Sequence, residues 1–171
     1  MLGYLARTLP TLVSAALSPA HRGDGPPISR IHRRVRPSEI DLNRHMNQAV
    51  YLQVMELGRT DWLLRSGAWR AWRASRITPI VAEQRIVYRR ELRPFQAYTI
   101  ETRAVAVEGR LLVVSHGVLG GDGGTGATVH AVNDVKLIFV GHDGVLGAEW
   151  AEEHTRSLMA KPLAVVDWRV V

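Results

Sequence analysis

The stretch Asp41-Leu42-Asn43-Arg44-His45-Met46-Asn47-Gln48-Ala49-Val50-Tyr51 decides how this chain is read. It sets a carboxylate, two amides and an imidazole, Asp41 to Asn47, directly before an amphipathic run. From Ala49 to Leu64, apolar positions fall at Tyr51, Val54, Met55, Gly58 and Trp62, the spacing of one helical stripe. Asn47 is a good N-cap and Gly67 a good C-terminal stop. Gly58 inside the stripe lowers helix propensity, and close approach of helix to sheet is the return expected for it.

Outward from that junction, the chain is β-type. Ser29 to Arg36 reads as a short strand stopped by Pro37, and Ala68 to Arg76 as a linker. Four long runs follow, Ile77 to Leu92, Ala97 to Val107, Arg110 to Leu119 and Ala127 to Val140. Each is bounded by Gly or Pro turn signals of hairpin length, so an antiparallel meander is expected. A short helix, Glu149 to Met159, and an apolar end, Leu163 to Val171, complete the chain. One amphipathic helix with five strands is an α+β layout, a curved antiparallel five-stranded sheet wrapped around one long central helix. The other face and the edges of such a sheet favour pairing with a second subunit.

The 171 residues fit one domain at 28–145, with extensions at 1–27 and 146–171. Apolar residues from Leu2 to Leu17 form one face of a short helix, interrupted by Pro10 and ended by Pro19, Gly23 and Gly25 to Pro27. The run is too short and broken for a membrane span, and it lacks a clear cleavage site for a signal peptide. With no cysteine there is no disulfide, thiolate metal site or thiol nucleophile, which is compatible with a cytoplasmic protein. Net charge is +6, and of 22 basic residues only those at 136 and 161 are lysine. The arginines are scattered and form no aromatic-interleaved stripe, so no nucleic-acid partner is expected.

A strand, a D-x-N-x-H-x-N loop and a helix carrying Y-L-x-x-x-E-x-x-R (Tyr51, Leu52, Glu56, Arg59) resemble the hotdog-fold thioesterases. The pattern is similar to acyl-CoA thioesterases of the 4-hydroxybenzoyl-CoA type and to plant acyl-carrier-protein thioesterases. His45 to Gly67 resembles the thioesterase-superfamily-member proteins most. The seven histidines are dispersed with no H-E-x-x-H, so no metal site is expected. The resemblance spans about Ile31 to Val140 and implies a hotdog fold, hydrolysis of an acyl-CoA or acyl-carrier-protein thioester, no cofactor, and a homodimer or dimer of dimers. Its active site would lie between subunits.

Thioester hydrolysis needs a base or nucleophile and a polarised carbonyl. Asp41 is the natural carboxylate, and the resemblance leaves open whether it attacks or activates water. N–H groups near Asn47 and Gln48 would receive the thioester oxygen, with Tyr51 beside them. The resemblance gives Asn43 and His45 the task of orienting water or substrate. The bland alternatives are an Asx-turn for Asp41 and a plain cap for Asn47. Glu56 is either an ordinary i,i+3 partner of Arg59 or a second catalytic carboxylate.

Other patterns fail on their context. Gly121 to Gly126 matches G-x-G-x-x-G but precedes a strand, so it is a hairpin. A calcium loop opening at Asp41 would need Gly and Glu where Met46 and Leu52 stand. Hotdog hydratases place their histidine five residues beyond the aspartate, whereas His45 lies four beyond Asp41. Hydration therefore ranks below hydrolysis, and a non-catalytic acyl-thioester binder is the remaining alternative. Arg85, Arg89, Arg90 and Arg93 suit either CoA phosphates or a solvated strand end. His130, Asn133 and Asp134 on the last strand could enter a site from the other subunit but are expected to be satisfied strand-face groups, and Trp69 and Trp72 to line an acyl tunnel or cap the core.

Overall fold

The computed structural model describes residues 25–124 and 126–163, together with Leu9 and Val13. The expected N-terminal helix and the apolar end beyond Leu163 lie largely outside these residues. The order is β1 (Ser29–Arg34), a 3-10 turn (Pro37–Glu39), α1 (Gln48–Arg65), α2 (Ala68–Ala74), β2 (Thr78–Tyr88), β3 (Ala97–Glu108), β4 (Leu111–Gly120), β5 (Val129–Gly141), β6 (Gly144–Val145), α3 (Ala148–Thr155) and a second 3-10 turn (Arg156–Leu158). The strands form a curled antiparallel half-barrel in the order β1-β3-β4-β5-β2, to which the two-residue β6 adds beside β5. Register shifts at Val81/Glu83 in β2 and Ala104/Ala106 in β3 add local twist and help it curl. This is the hotdog architecture, with α1 lying against β1, β3 and β4.

The stripe read from the sequence is the buried face of α1: Tyr51, Val54, Met55, Gly58 and Trp62 are all buried. Two apolar clusters lie beneath it. One gathers Val50, Tyr51, Met55, Leu92, Tyr98 and Ile100 near the helix start. The other gathers Trp62, Trp72, Leu112, Leu137 and Phe139 near its end. Each large side chain removed from water contributes about 1.5–3 kcal/mol. Gly58 has the expected role: a Cβ there would stand 2.5 Å from Thr102 Oγ1 and 2.9 Å from Ile100 Cγ2.

Three expectations need correction. The linker from Ala68 is the helix α2. Gly67, at φ 76°, ends α1 and at once serves as the N-cap of the next helix, whose alanines, arginines and tryptophans all tolerate helical backbone. Trp72 packs edge-to-face on Phe139 at 4.8 Å, so it closes the core.

The four-strand meander holds only for β3, β4 and β5. β2 lies beyond β5, because residues 89–96 do not turn a hairpin but cross the end of the sheet. For the same reason β2 stops at Tyr88 and does not run to Leu92. Fully buried Leu92 pins the crossing: its carbonyl accepts from Met46 N at 2.8 Å and its N–H donates to Tyr51 Oη at 3.1 Å.

Candidate active site

The segment after β1 folds into a small closed turn. Ile40 and Met46 form an antiparallel bridge, Asp41 N–H donates to His45 O at 3.0 Å, and Arg44 N–H donates to Asp41 O at 3.0 Å. Arg44 adopts φ 62°, a left-handed conformation that a side chain disfavours and that closure of the turn requires. Met46 plugs the core below, while Leu42 is wholly exposed at the tip. The polar side chains between them are thereby held above the helix start.

Asp41 does form the Asx-turn, accepting from Asn43 N–H at 2.9 Å through Oδ1. That role occupies one oxygen only. His45 Nδ1 stands 3.6 Å from the same atom and 3.3 Å from Met46 O. Asn47 caps α1 by accepting from Ala49 N–H at 2.9 Å. Its own N–H donates to Glu39 O at 2.8 Å, and Val50 N–H returns to Asn47 O at 2.9 Å. Among the described residues, Gln48 is therefore the one of Asn47, Gln48, Ala49 and Val50 whose N–H is unbonded.

These groups share a cleft of about 520 Å³, lined by Asp41, Asn43, His45, Asn47, Gln48 and Tyr51 on one side and by Tyr88, Arg89, Arg90 and Glu91 on the other. Tyr88 meets Tyr51 edge-to-face at 5.4 Å and donates to Gln48 O at 3.3 Å. Burial pushes the Tyr51 hydroxyl up to about 12, so it stays protonated through the physiological range. It donates weakly to Arg90 O at 3.5 Å, which ties helix to crossing loop.

Six of the seven residues singled out from sequence thus converge, and Glu56 does not. It does not line the cleft and lies about 12 Å along α1 from Gln48 at 1.5 Å per residue. Its carboxylate stands 4.0 Å from Arg59 Nη2. Of the second wall, Tyr88 to Glu91, the sequence singled out Arg89 and Arg90 but did not place them on this cleft, and it passed over Tyr88 and Glu91, because nothing local marks the end of β2 as facing the Asp41 turn. His130 is satisfied: its Nδ1 bonds Glu91 O at 3.0 Å and its Nε2 meets Gln96 Nε2 at 3.2 Å. Asp134, pushed upward by burial, accepts from Ser115 Oγ. Asn133 departs from expectation, since its fully buried amide has no partner among the described residues. No group of three or more His, Asp or Glu among those residues is placed to hold a metal ion.

A family model described as the thioesterase-like superfamily matches residues 35–159. The fold is similar to YbaW, a probable thioesterase from Escherichia coli, at 21% identity over 77% of this chain and 99% of that one, with a TM-score of 0.69. It is also similar to a hypothetical protein from Staphylococcus aureus in complex with CoA, at 14% identity over 86% and 94%, TM-score 0.66. A 4-hydroxybenzoyl CoA thioesterase mutant complexed with 4-hydroxybenzoyl CoA matches at 13% identity over 74% and 97%, TM-score 0.61. At these identities the likeness is one of fold.

Proposed function

Because the chain belongs to the hotdog-fold thioesterase-like superfamily, we propose that it hydrolyses an acyl-CoA or acyl-carrier-protein thioester, releasing a carboxylic acid and a free thiol carrier. The observation that carries this reading is the convergence of Asp41, Asn43, His45 and the unbonded Gln48 N–H on one cleft at the start of α1. Asp41 activates water through the oxygen its Asx-turn leaves unused. Asn43 and His45 orient that water, and Gln48 N–H receives the carbonyl oxygen. No cofactor takes part. Glu56 is assigned to its pair with Arg59 and not to the chemistry.

The active unit is a homodimer, alone or paired into a tetramer, in the cytoplasm. β2 pairs with β5 on one side only and leaves its outer edge unpaired among the described residues. It exposes Ile80 (45%), Val81 (42%) and Tyr88 (43%). Such an edge invites a second copy. Tyr88 also walls the cleft, so a partner seated on β2 would roof the site. No helix among the described residues is long and apolar enough to cross a membrane.

The test is a hydrolysis screen with purified protein over acyl-CoAs and acyl-carrier proteins of graded chain length, read by thiol release, beside the mass of the particle in solution. Thiol release by a dimer or tetramer is the expected result. Water addition to an enoyl-CoA without thiol release, or tight binding without turnover, would overturn it.

A further inference from the structure

Arg89 differs from the other cations around the cleft. Arg93 is paired with Glu91 at 3.0 Å, and Arg90 is exposed to water. Arg89 lines the cleft, is half-buried, and makes no side-chain hydrogen bond or ion pair among the described residues. Its Nη2 is shielded from solvent with no acceptor among the described residues. A charged donor taken out of water without a partner costs more than the roughly 1–3 kcal/mol of a neutral one. Such a group calls for an explanation, and a ligand that brings the acceptor is one.

The helix mouth is also short of backbone donors. Hydrogen bonds within the turn and cap consume the N–H groups of Asn47, Ala49 and Val50, leaving Gln48 N–H as the unbonded one of these four among the described residues. Oxyanion sites aim more than one donor at that oxygen. The balance of charge points the same way. Asp41 and Arg89 offset each other, and a substrate bringing a permanent anion beside Asp41 would add a second negative charge. An oxyanion adds none, because its charge is only relayed from Asp41.

We propose that Arg89 is the second donor to the thioester oxygen, acting with Gln48 N–H; this rests on the thioester-hydrolase reading above. Asp41 takes a proton from water as the water oxygen bonds to the acyl carbon. The C=O π pair moves onto the carbonyl oxygen, where the guanidinium and Gln48 N–H hold it. The pair then returns, the C–S bond breaks, and the departing thiolate takes the proton back from Asp41. Since the shielded Nη2 has no bond to lose, recruiting it toward the oxygen breaks nothing.

The test compares Arg89→Gln, Arg89→Lys and Asp41→Asn in the full chain, on the acyl-CoA that turns over fastest in the screen. It adds two inhibitors built on that acyl chain: a trifluoromethyl ketone, whose hydrate mimics the tetrahedral adduct, and a thioether, which has no carbonyl to hydrate. The expected result for Arg89→Gln is a fall in kcat of about 10²–10³ with KM nearly unchanged. Ketone affinity should fall in step while thioether affinity holds, and Arg89→Lys should recover part of the loss. Unchanged kcat overturns the inference. So does a rise in KM alone, which makes Arg89 a ground-state anion binder, and so does loss of the oligomer in parallel with activity, which makes it an interface ion pair. Asp41→Asn separates the two claims. If it keeps activity, the reading of the site itself falls; if it is inactive while Arg89→Gln is active, only the role of Arg89 falls. A wild-type chain inactive on every acyl thioester removes both.

Discussion

Gly58→Ala should destabilise the protein, although alanine is the better helix former. In an exposed helix the substitution would gain about 1 kcal/mol. Here the new methyl carbon would stand 2.5 Å from Thr102 Oγ1 and 2.9 Å from Ile100 Cγ2, both closer than a carbon atom tolerates. Neither neighbour yields readily. Both are fully buried on β3, which is paired with β1 on one side and β4 on the other, and Thr102 Oγ1 is bonded to His116 Nδ1 at 2.9 Å. Overpacking of this kind typically costs about 1–3 kcal/mol, and two unyielding contacts place it at the upper end. The net loss is then about 2 kcal/mol, or about 4–8 °C in Tm for a chain of this size. Thermal unfolding followed by circular dichroism gives the number. An unchanged or raised Tm would mean that the helix simply lifts and the close approach is not what Gly58 provides. Because Gln48 is the first residue of α1, a forced lift should also lower turnover in the surviving folded fraction.

Asp41→Asn keeps an oxygen for the Asn43 N–H, so the turn survives while the base is lost. Activity should fall by about 10²–10⁴ with Tm nearly unchanged; retained activity refutes the assignment. Glu56→Gln breaks a loose surface pair outside the cleft and should leave kcat within about twofold, its stability cost being only a few tenths of a kcal/mol. A loss matching that of Asp41→Asn would show that Glu56 reaches the chemistry. His116 gives the fold a pH dependence. Burial, with Arg59 adding to it, holds its imidazole down at about 3. The unfolded chain takes up that proton below about 6.5 and the folded one does not, so this stability is present above 6.5 and is lost as pH falls toward about 3. Between pH 6.5 and 4.5 the loss amounts to about 2 kcal/mol. Tm measured at both values should fall more steeply for wild type than for His116→Gln, and equal slopes would contradict the buried neutral imidazole.

What could be read from the sequence was local. The Asx-turn at Asp41, the cap at Asn47, the stripe from Tyr51 to Trp62 and the stop at Gly67 each depend on residues a few positions apart. Their chemistry survives into the fold with little change. The partner of β2 is a different kind of quantity. Arg93-Pro94 looks like a hairpin signal, but the bonds of Leu92 to Met46 N and Tyr51 Oη, with those of the Arg89 and Arg90 N–H groups to His130 O, hold the chain across the sheet. Arg89, one of four arginines read at a strand end, took its place in the cleft only with that crossing, since the cleft is made by two segments some forty positions apart.

The same reasoning explains a polar row that no periodicity could disclose. Register aligns Ser29 with Thr102, Thr102 with His116, and His116 with Asn133, four buried polar side chains drawn from four strands. Each alone reads as an isolated polar residue in an apolar run, and β4, buried on both faces, has no alternation to betray its inward side. Together they form a band between the two apolar clusters. Ser29 is anchored by donating to Asp61 Oδ2 at 2.6 Å, and His116 bonds Thr102, but His116 Nε2 and both polar atoms of Asn133 have no partner among the described residues. Gly58 sits over this band at Thr102. At Gly58 the helix lies close against the sheet's row of polar side chains, and a methyl group there would strike the Thr102 hydroxyl that His116 uses. That coupling is why the cost of Gly58→Ala should exceed what helix propensity returns.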